Sequence, residues 1–203
     1  MDRNRVLKVW ELSALISLSI CLCAAVWAQG KQTGISSGLV RLHVLAVSDD
    51  EEEQAVKLRV RDAVLDYLSP KLSGAESVSA AESILRRELS GVYSAAESAA
   101  EGRTVTVSLG TEHYPGREYG EFTLPAGKYN SLRIVLGEGE GHNWWCIVFP
   151  PVCLSAVEPE QLREAMSPDD YALITGQDGW ELRFRAVELW GELTEKWDEL
   201  MEK

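Results

Sequence analysis

The residues able to do chemistry crowd into one stretch, Gly137-Glu138-Gly139-Glu140-Gly141-His142-Asn143-Trp144-Trp145-Cys146, which runs on through Ile147-Val148-Phe149-Pro150-Pro151-Val152-Cys153. Glu138 and Glu140 form a carboxylate pair of the kind used for general acid and base catalysis, and alternate positions of a strand project alike. Cys146 is a nucleophile type with His142 nearby as its base, although no family-specific catalytic signature surrounds the cysteine. His142, Glu138 and the distant His43 are metal-ligand types, yet His43 reads as solvent-facing on a strand of its own. Each reading has a bland counterpart. Acidic loops are commonly just solvated, and carboxylate catalysis needs raised pKa values that a sequence does not carry.

The same stretch reads more simply as a binding surface. Glycine at alternate positions adds backbone entropy and buries nothing in a strand, but it suits a loop with positive φ or a close neighbour. In an exported protein Cys146 and Cys153 pair by default as a disulfide, and closing so short a loop stabilises by about 2.5 kcal/mol on the chain-entropy model. Adjacent strand residues face opposite ways, so one of Trp144 and Trp145 is core and the other is exposed or covered. An exposed tryptophan beside a stiffened loop is a typical anchor for a protein partner. The candidate partner-binding residues are therefore Glu138, Glu140, His142, Asn143, Trp144 and Trp145, with no catalytic and no metal-binding residue assigned.

Around this stretch the chain reads as an α+β scaffold. Leu39 to Val47 is a half-buried strand by its Val and Leu content and polar alternation. Ser48 or Asp49 caps a helix whose apolar positions Val56, Val60, Val64, Tyr67 and Leu68 make one stripe, ending near Ser69-Pro70. A second helical region spans Glu76 to Ala100, with Gly91 as a potential break. Extended segments follow at Arg103–Leu109, Tyr119–Leu124, Tyr129–Leu136 and Trp144–Phe149, with turns at Tyr114–Arg117 and Pro125–Lys128. Glu158 to Asp170 reads as a connector, and Leu182, Ala186, Leu189, Leu193, Trp197 and Leu200 mark a C-terminal amphipathic helix. The expected architecture is a single domain over 39–203. An antiparallel or mixed sheet is packed by two helices from the N-terminal half and by the C-terminal one.

At the N-terminus Arg3, Arg5 and Lys8 precede an uncharged run from Leu12 to Trp27. The run is shorter than the roughly 20 residues of a membrane span, and Val26-Trp27-Ala28 resembles a signal-peptidase site. Residues 1–28 thus read as a signal peptide, or else a retained membrane anchor, followed by a Gly/Ser/Thr/Gln linker over 29–38. Either version exports the domain, and the membrane is engaged only through this segment. The net charge of −12 excludes a nucleic-acid footprint, which needs a basic patch. No dinucleotide, P-loop, HExxH or CxxC motif is present, so no cofactor is expected.

Two blocks of this sequence, RLHVLAVSDDEEEQAVKLRVRDAVLDYL (Arg41–Leu68) and YGEFTLPAGKYNSLRIVLGEGEGHNWWCIVFPPVC (Tyr119–Cys153), together with the exported N-terminus and the final amphipathic segment, resemble the stage II sporulation protein R family of endospore-forming bacteria. The resemblance implies a secreted signalling protein that passes from the forespore into the space between the forespore and mother-cell membranes. There it would activate a membrane-embedded aspartic-type protease, which cleaves the inhibitory pro-segment from the early mother-cell sigma factor. The family supplies no catalytic residues to carry over. The competing class is a secreted hydrolase of cell-wall or peptide substrates acting through Glu138, Glu140, His142 or Cys146.

Overall fold

A computed structural model of the chain describes residues 3–119, 122–150, 163 and 167–175. Its first element is helix α1 (Arg3–Ser37). The apolar residues from Val9 to Trp27 are exposed, and the helix is long and apolar enough to cross a membrane. The stretch read as a linker continues this helix to Ser37. Gly30, Thr33 and Gly34 are poor helix formers, but tertiary contacts outweigh them. Ile35 is fully buried, and Lys31 Nζ lies 3.4 Å from Asp170 Oδ1.

The strands among the described residues are β1 (Val40–Leu45), β2 (Val105–Tyr114), β3 (Arg117–Tyr119), β4 (Phe122–Leu124), β5 (Gly127–Leu136) and β6 (Asn143–Phe149). Four of them make one sheet in the order β2-β5-β1-β6. β1 runs parallel to β5, while β6 pairs antiparallel with β1 and β2 antiparallel with β5. A parallel pair needs a long crossover, and helices α2 (Glu51–Leu72) and α3 (Val78–Ala99) lie within it. The fold is the mixed-sheet α+β domain expected.

α2 and α3 cover one face of the sheet. Val56, Val60, Val64 and Leu68 of α2, with Leu85, Val92 and Ala96 of α3, meet Leu42, Val44, Leu132, Ile134, Cys146 and Val148 in the main core. α2 runs through Pro70 rather than stopping there, because Leu68 and Leu72, one turn apart, are both buried in that core. Its N-cap is Asp50. Asp49, one of the two expected caps, is instead taken by the loop described below.

Gly91 does not break α3. A methyl there would stand 1.8 Å from the Tyr67 hydroxyl, so this glycine is the notch that lets the helices close. Tyr67 Oη donates to Glu88 Oε2 at 2.6 Å, fixing the ring in the notch. Gly91→Ala should therefore destabilise by about 1–3 kcal/mol through overpacking. The same change made in Tyr67→Ala should stabilise by about 1 kcal/mol, the ordinary helix-propensity gain. Urea unfolding of the four proteins checks the reversal of sign.

The other face is closed by smaller pieces. The β3–β4 hairpin, the C-terminal end of α1 and helix α4 (Pro168–Thr175) bring Phe122, Leu124, Ile35, Tyr171 and Ile174 against Tyr114, Tyr129 and Ile147. Tyr119–Leu124 is thus two short strands, with Tyr119 opposite Phe122, rather than one. The end of the expected connector is the start of a helix. Cys153 and the C-terminal segment Trp180–Lys203 lie outside the described residues.

Candidate functional site

Residues 137–142 join β5 to β6, and their alternating glycines have separate structural causes. Gly137 and Gly139 adopt positive φ, +58° and +70°, which side chains rarely tolerate. Gly141 is needed for space: a methyl there would lie 2.2 Å from the carbonyl oxygen of Ser48. Glu138 and Glu140 are exposed in this turn. They do not share a strand face, as alternation had suggested.

The loop is pinned to the turn between β1 and α2. The Gly141 N–H donates to Ala46 O at 3.0 Å, and the His142 N–H donates to Asp49 Oδ1 at 2.6 Å. The His142 ring pairs with the same carboxylate. These contacts, the backbone bond first, hold the Asp49 carboxyl below its ordinary range. From beneath, Lys57 Nζ donates to the His142 carbonyl at 2.9 Å. Burial pushes the Lys57 ammonium down, Asp49 opposes that shift, and Arg61 adds to it. A buried lysine thus fixes one backbone carbonyl of the loop while also donating to Gln54 Oε1 of its own helix.

β6 then separates the two tryptophans. Trp144 stays 37% exposed, with the Arg61 guanidinium 4.4 Å from its ring centre. Glu138, Glu140, His142 and Asn143 just before it are all exposed as well. Trp145 belongs to the opposite face, where it is half-buried. Its ring centre lies 5.7 Å from that of His43 and 6.1 Å from that of Tyr114, and the Arg117 guanidinium sits 4.4 Å away over it. The six candidate residues are therefore divided between two sides of the sheet.

His43 does not face solvent. β1 is a central strand covered on both faces, and His43 Nδ1 lies 3.3 Å from Glu112 Oε2. Glu112 also accepts from Ser131 Oγ at 2.5 Å and pairs with Arg133 Nη1 at 3.2 Å. Burial by itself would raise the Glu112 carboxyl; the bonds from His43 and Ser131 and the charges of His43 and Arg133 outweigh it, so the group sits below its ordinary value. Burial raises Tyr114 and Tyr129 well above the usual phenol range. Arg41 is fully buried among them.

The pieces of the reactive readings sit apart. Cys146 lies in the main core under α2 and α3, whereas His142 is exposed before the strand begins. Asn143 to Cys146 spans about 10 Å of extended chain. His43 and His142 are bound to different carboxylates, Glu112 and Asp49. Among the described residues no three His, Cys, Asp or Glu side chains gather as a metal site. The expected bridge has Cys146 within the described residues and Cys153 outside them; the free cysteines described are Cys21 and Cys23 of α1. Sequence reasoning missed Asp49, Lys57, Arg61, Arg41 and Glu112. One signal was available for Arg41: a cation alternating with His43 in a strand run whose other residues are apolar.

Comparison with known proteins gives a consistent result. The chain is 32% identical over 136 residues to stage II sporulation protein R of Bacillus subtilis (strain 168), covering 62% of this chain and 61% of the relative. No solved structure matches it. The family model for stage II sporulation protein R matches residues 36–159, which include β1, both helices of the crossover, the whole sheet and the glycine-rich loop. The chain belongs to the stage II sporulation protein R family.

Proposed function

We propose that this chain is exported and acts outside the cytoplasm as the activator of a membrane-embedded aspartic-type protease that processes the early mother-cell sigma factor. The observation that carries this reading is the loop 137–142 with Trp144. Its side chains are exposed, while its backbone is fixed by Asp49, Lys57 and Ala46. A preorganised surface loses little entropy on binding. Membership of a sporulation family and an N-terminal helix whose apolar residues from Val9 to Trp27 are exposed support the same reading. An activator of this kind works only by binding the active state of its target more tightly than the inactive one. Moving a receptor from about 1% to 99% active takes a difference of about 5.5 kcal/mol, and a central tryptophan anchor contributes a large part of that. The Cys146–Cys153 bridge belongs to the proposal, tying the middle of β6 to the chain that follows it.

The test is processing of the sigma-factor precursor by its membrane protease, reconstituted in a non-sporulating host. Processing is expected with the exported chain and not with one lacking residues 1–28, and Cys146→Ser/Cys153→Ser should reduce it. Trp144→Ala should lower processing by about tenfold or more with an unchanged thermal midpoint, since the ring lies outside both cores. A folded Trp144→Ala protein with full activity would remove the loop from the interface. No processing with any chain would remove the activator reading.

A further inference from the structure

The buried side-chain polar atoms without a hydrogen-bond partner among the described residues are Arg41 Nε and Nη1, His43 Nε2, Arg133 Nε and Gln32 Nε2. All of them lie on the same face of the sheet. Arg41 stands opposite Ser131 and His43 opposite Arg133 in the parallel β1–β5 pair, so these side chains share a face. Gln32 comes down from α1 onto Gly127 at the start of β5. The two arginines and the glutamine are N–H donors at any ordinary pH. This is a local surplus of buried donors, two of them cationic, in a chain of net charge −12.

Arg41 is the extreme case. Its guanidinium is fully buried and lies 4.0 Å from the ring centre of Tyr114, 5.0 Å from that of Tyr129 and 5.7 Å from that of Tyr119. Nη2 donates to the Tyr119 hydroxyl. Three aromatic faces offset part of the cost of burying a charge, but they leave Nε and Nη1, with three N–H donors between them, without partners, and a buried donor on a charged group is costly to leave so. The nearby carboxylate that faces this group from β2, Glu112, is already taken by His43, Ser131 and Arg133. A fixed guanidinium walled by aromatic rings, with free donors beside it, has the composition of an oxyanion receptor.

We propose that this face binds a small oxyanion, a carboxylate or phosphate group seated at Arg41 against Tyr114, Tyr119 and Tyr129, with Arg133 as a second cationic contact. Arg41 is covered, and its Nη2 bond to the Tyr119 hydroxyl is the contact that an entering anion replaces. The site is separate from the loop 137–142 and does not depend on the protease-activation reading.

The experiment uses the full chain in nonionic micelles, with sodium acetate and sodium phosphate as probes against sodium chloride at constant ionic strength. At ten times its dissociation constant a specific anion raises the thermal midpoint by about 4 °C, and the Arg41 Nε–H resonance moves with the same saturation curve. Arg41→Met, an apolar near-isostere, should lose the response. Arg133→Gln, a partly exposed position, should remain folded and weaken the response severalfold. The same midpoint rise in Arg41→Met as in the parent would mark a general salt effect and overturn the proposal. So would an Arg41 resonance unmoved by either probe, which would leave Arg41 as a purely aromatic anchor.

Discussion

Gly141→Ala is expected to lower the thermal midpoint by about 10 °C and, on the proposed function, to abolish protease activation along with it. The added methyl would stand 2.2 Å from the Ser48 carbonyl oxygen, 2.5 Å from its carbon and 2.9 Å from its Cα. All three are backbone atoms, so no side-chain rotation relieves the contact. Either the loop or the β1–α2 turn must move, and the movement breaks the Gly141-to-Ala46 and His142-to-Asp49 bonds. Overpacking costs about 1–3 kcal/mol, and the lost bonds, one of them to a charged group, add about 2 kcal/mol. In a chain of this size each kcal/mol moves the midpoint by roughly 2–4 °C. Gly137→Ala and Gly139→Ala should cost less, about 1–2 kcal/mol each from positive φ, with Gly139 the worse because its methyl would also meet Val135 Cγ1 at 2.7 Å. Thermal unfolding of the three proteins gives the ranking. A Gly141→Ala protein within about 0.5 kcal/mol of the parent, the range of an ordinary surface change, would refute the account of the loop.

Glu112→Gln is expected to destabilise by about 2–3 kcal/mol at neutral pH, the cost of leaving buried partners of a lost charge uncompensated. The amide keeps the shape and an acceptor for Ser131. It removes the charge that balances Arg133 and His43 and lies in the same polar cluster as Arg41. The pH dependence has a definite sign. The Glu112 carboxyl is depressed from its ordinary 4.5 in the folded chain, so its stabilisation is fully present above that value. It is lost as pH falls through the lower folded value. The parent should therefore lose stability as pH drops below about 4.5, and Glu112→Gln should show a shallower loss over the same interval. Superimposable pH profiles for the two proteins would mean that the carboxylate is solvated and not part of the cluster.

Periodicity and turn chemistry made much of this fold readable. The stripe Val56, Val60, Val64 and Leu68 was legible because helix burial repeats at three and four, and the opposite faces of Trp144 and Trp145 followed from the period of a strand. The glycine pattern announced a shaped loop, but it did not say that Gly141 answers to Ser48, a neighbour far away in sequence. His43 was misplaced for a related reason. Alternation shows that Arg41 and His43 share a face; it does not show that α1, α4 and a hairpin cover that face. Residues 29–37 looked like a linker because their propensities are poor, and the buried Ile35 that keeps them helical is a tertiary fact. Gly91 looked like a helix break for want of Tyr67. The candidate surface was half legible: the exposure of Glu138, Glu140, His142, Asn143 and Trp144 fits a loop reading, while the residues that brace the loop, Asp49 and Lys57, read as ordinary helix charges.

The position of β1 bears on when this protein can fold. It is the first strand of the sheet and one of its two central ones, yet its neighbours arrive late: Val40 stands opposite Asn130, and Arg41 opposite Ile147. The ordering entropy of so long a loop must be met before either pairing returns anything. A chain delivered N-terminus first has no sheet centre until β5 has emerged, and β6 then adds the edge beside β1. On the export proposed above, the chain crosses the membrane before its central pairing can form, and its tertiary structure comes into being on the far side.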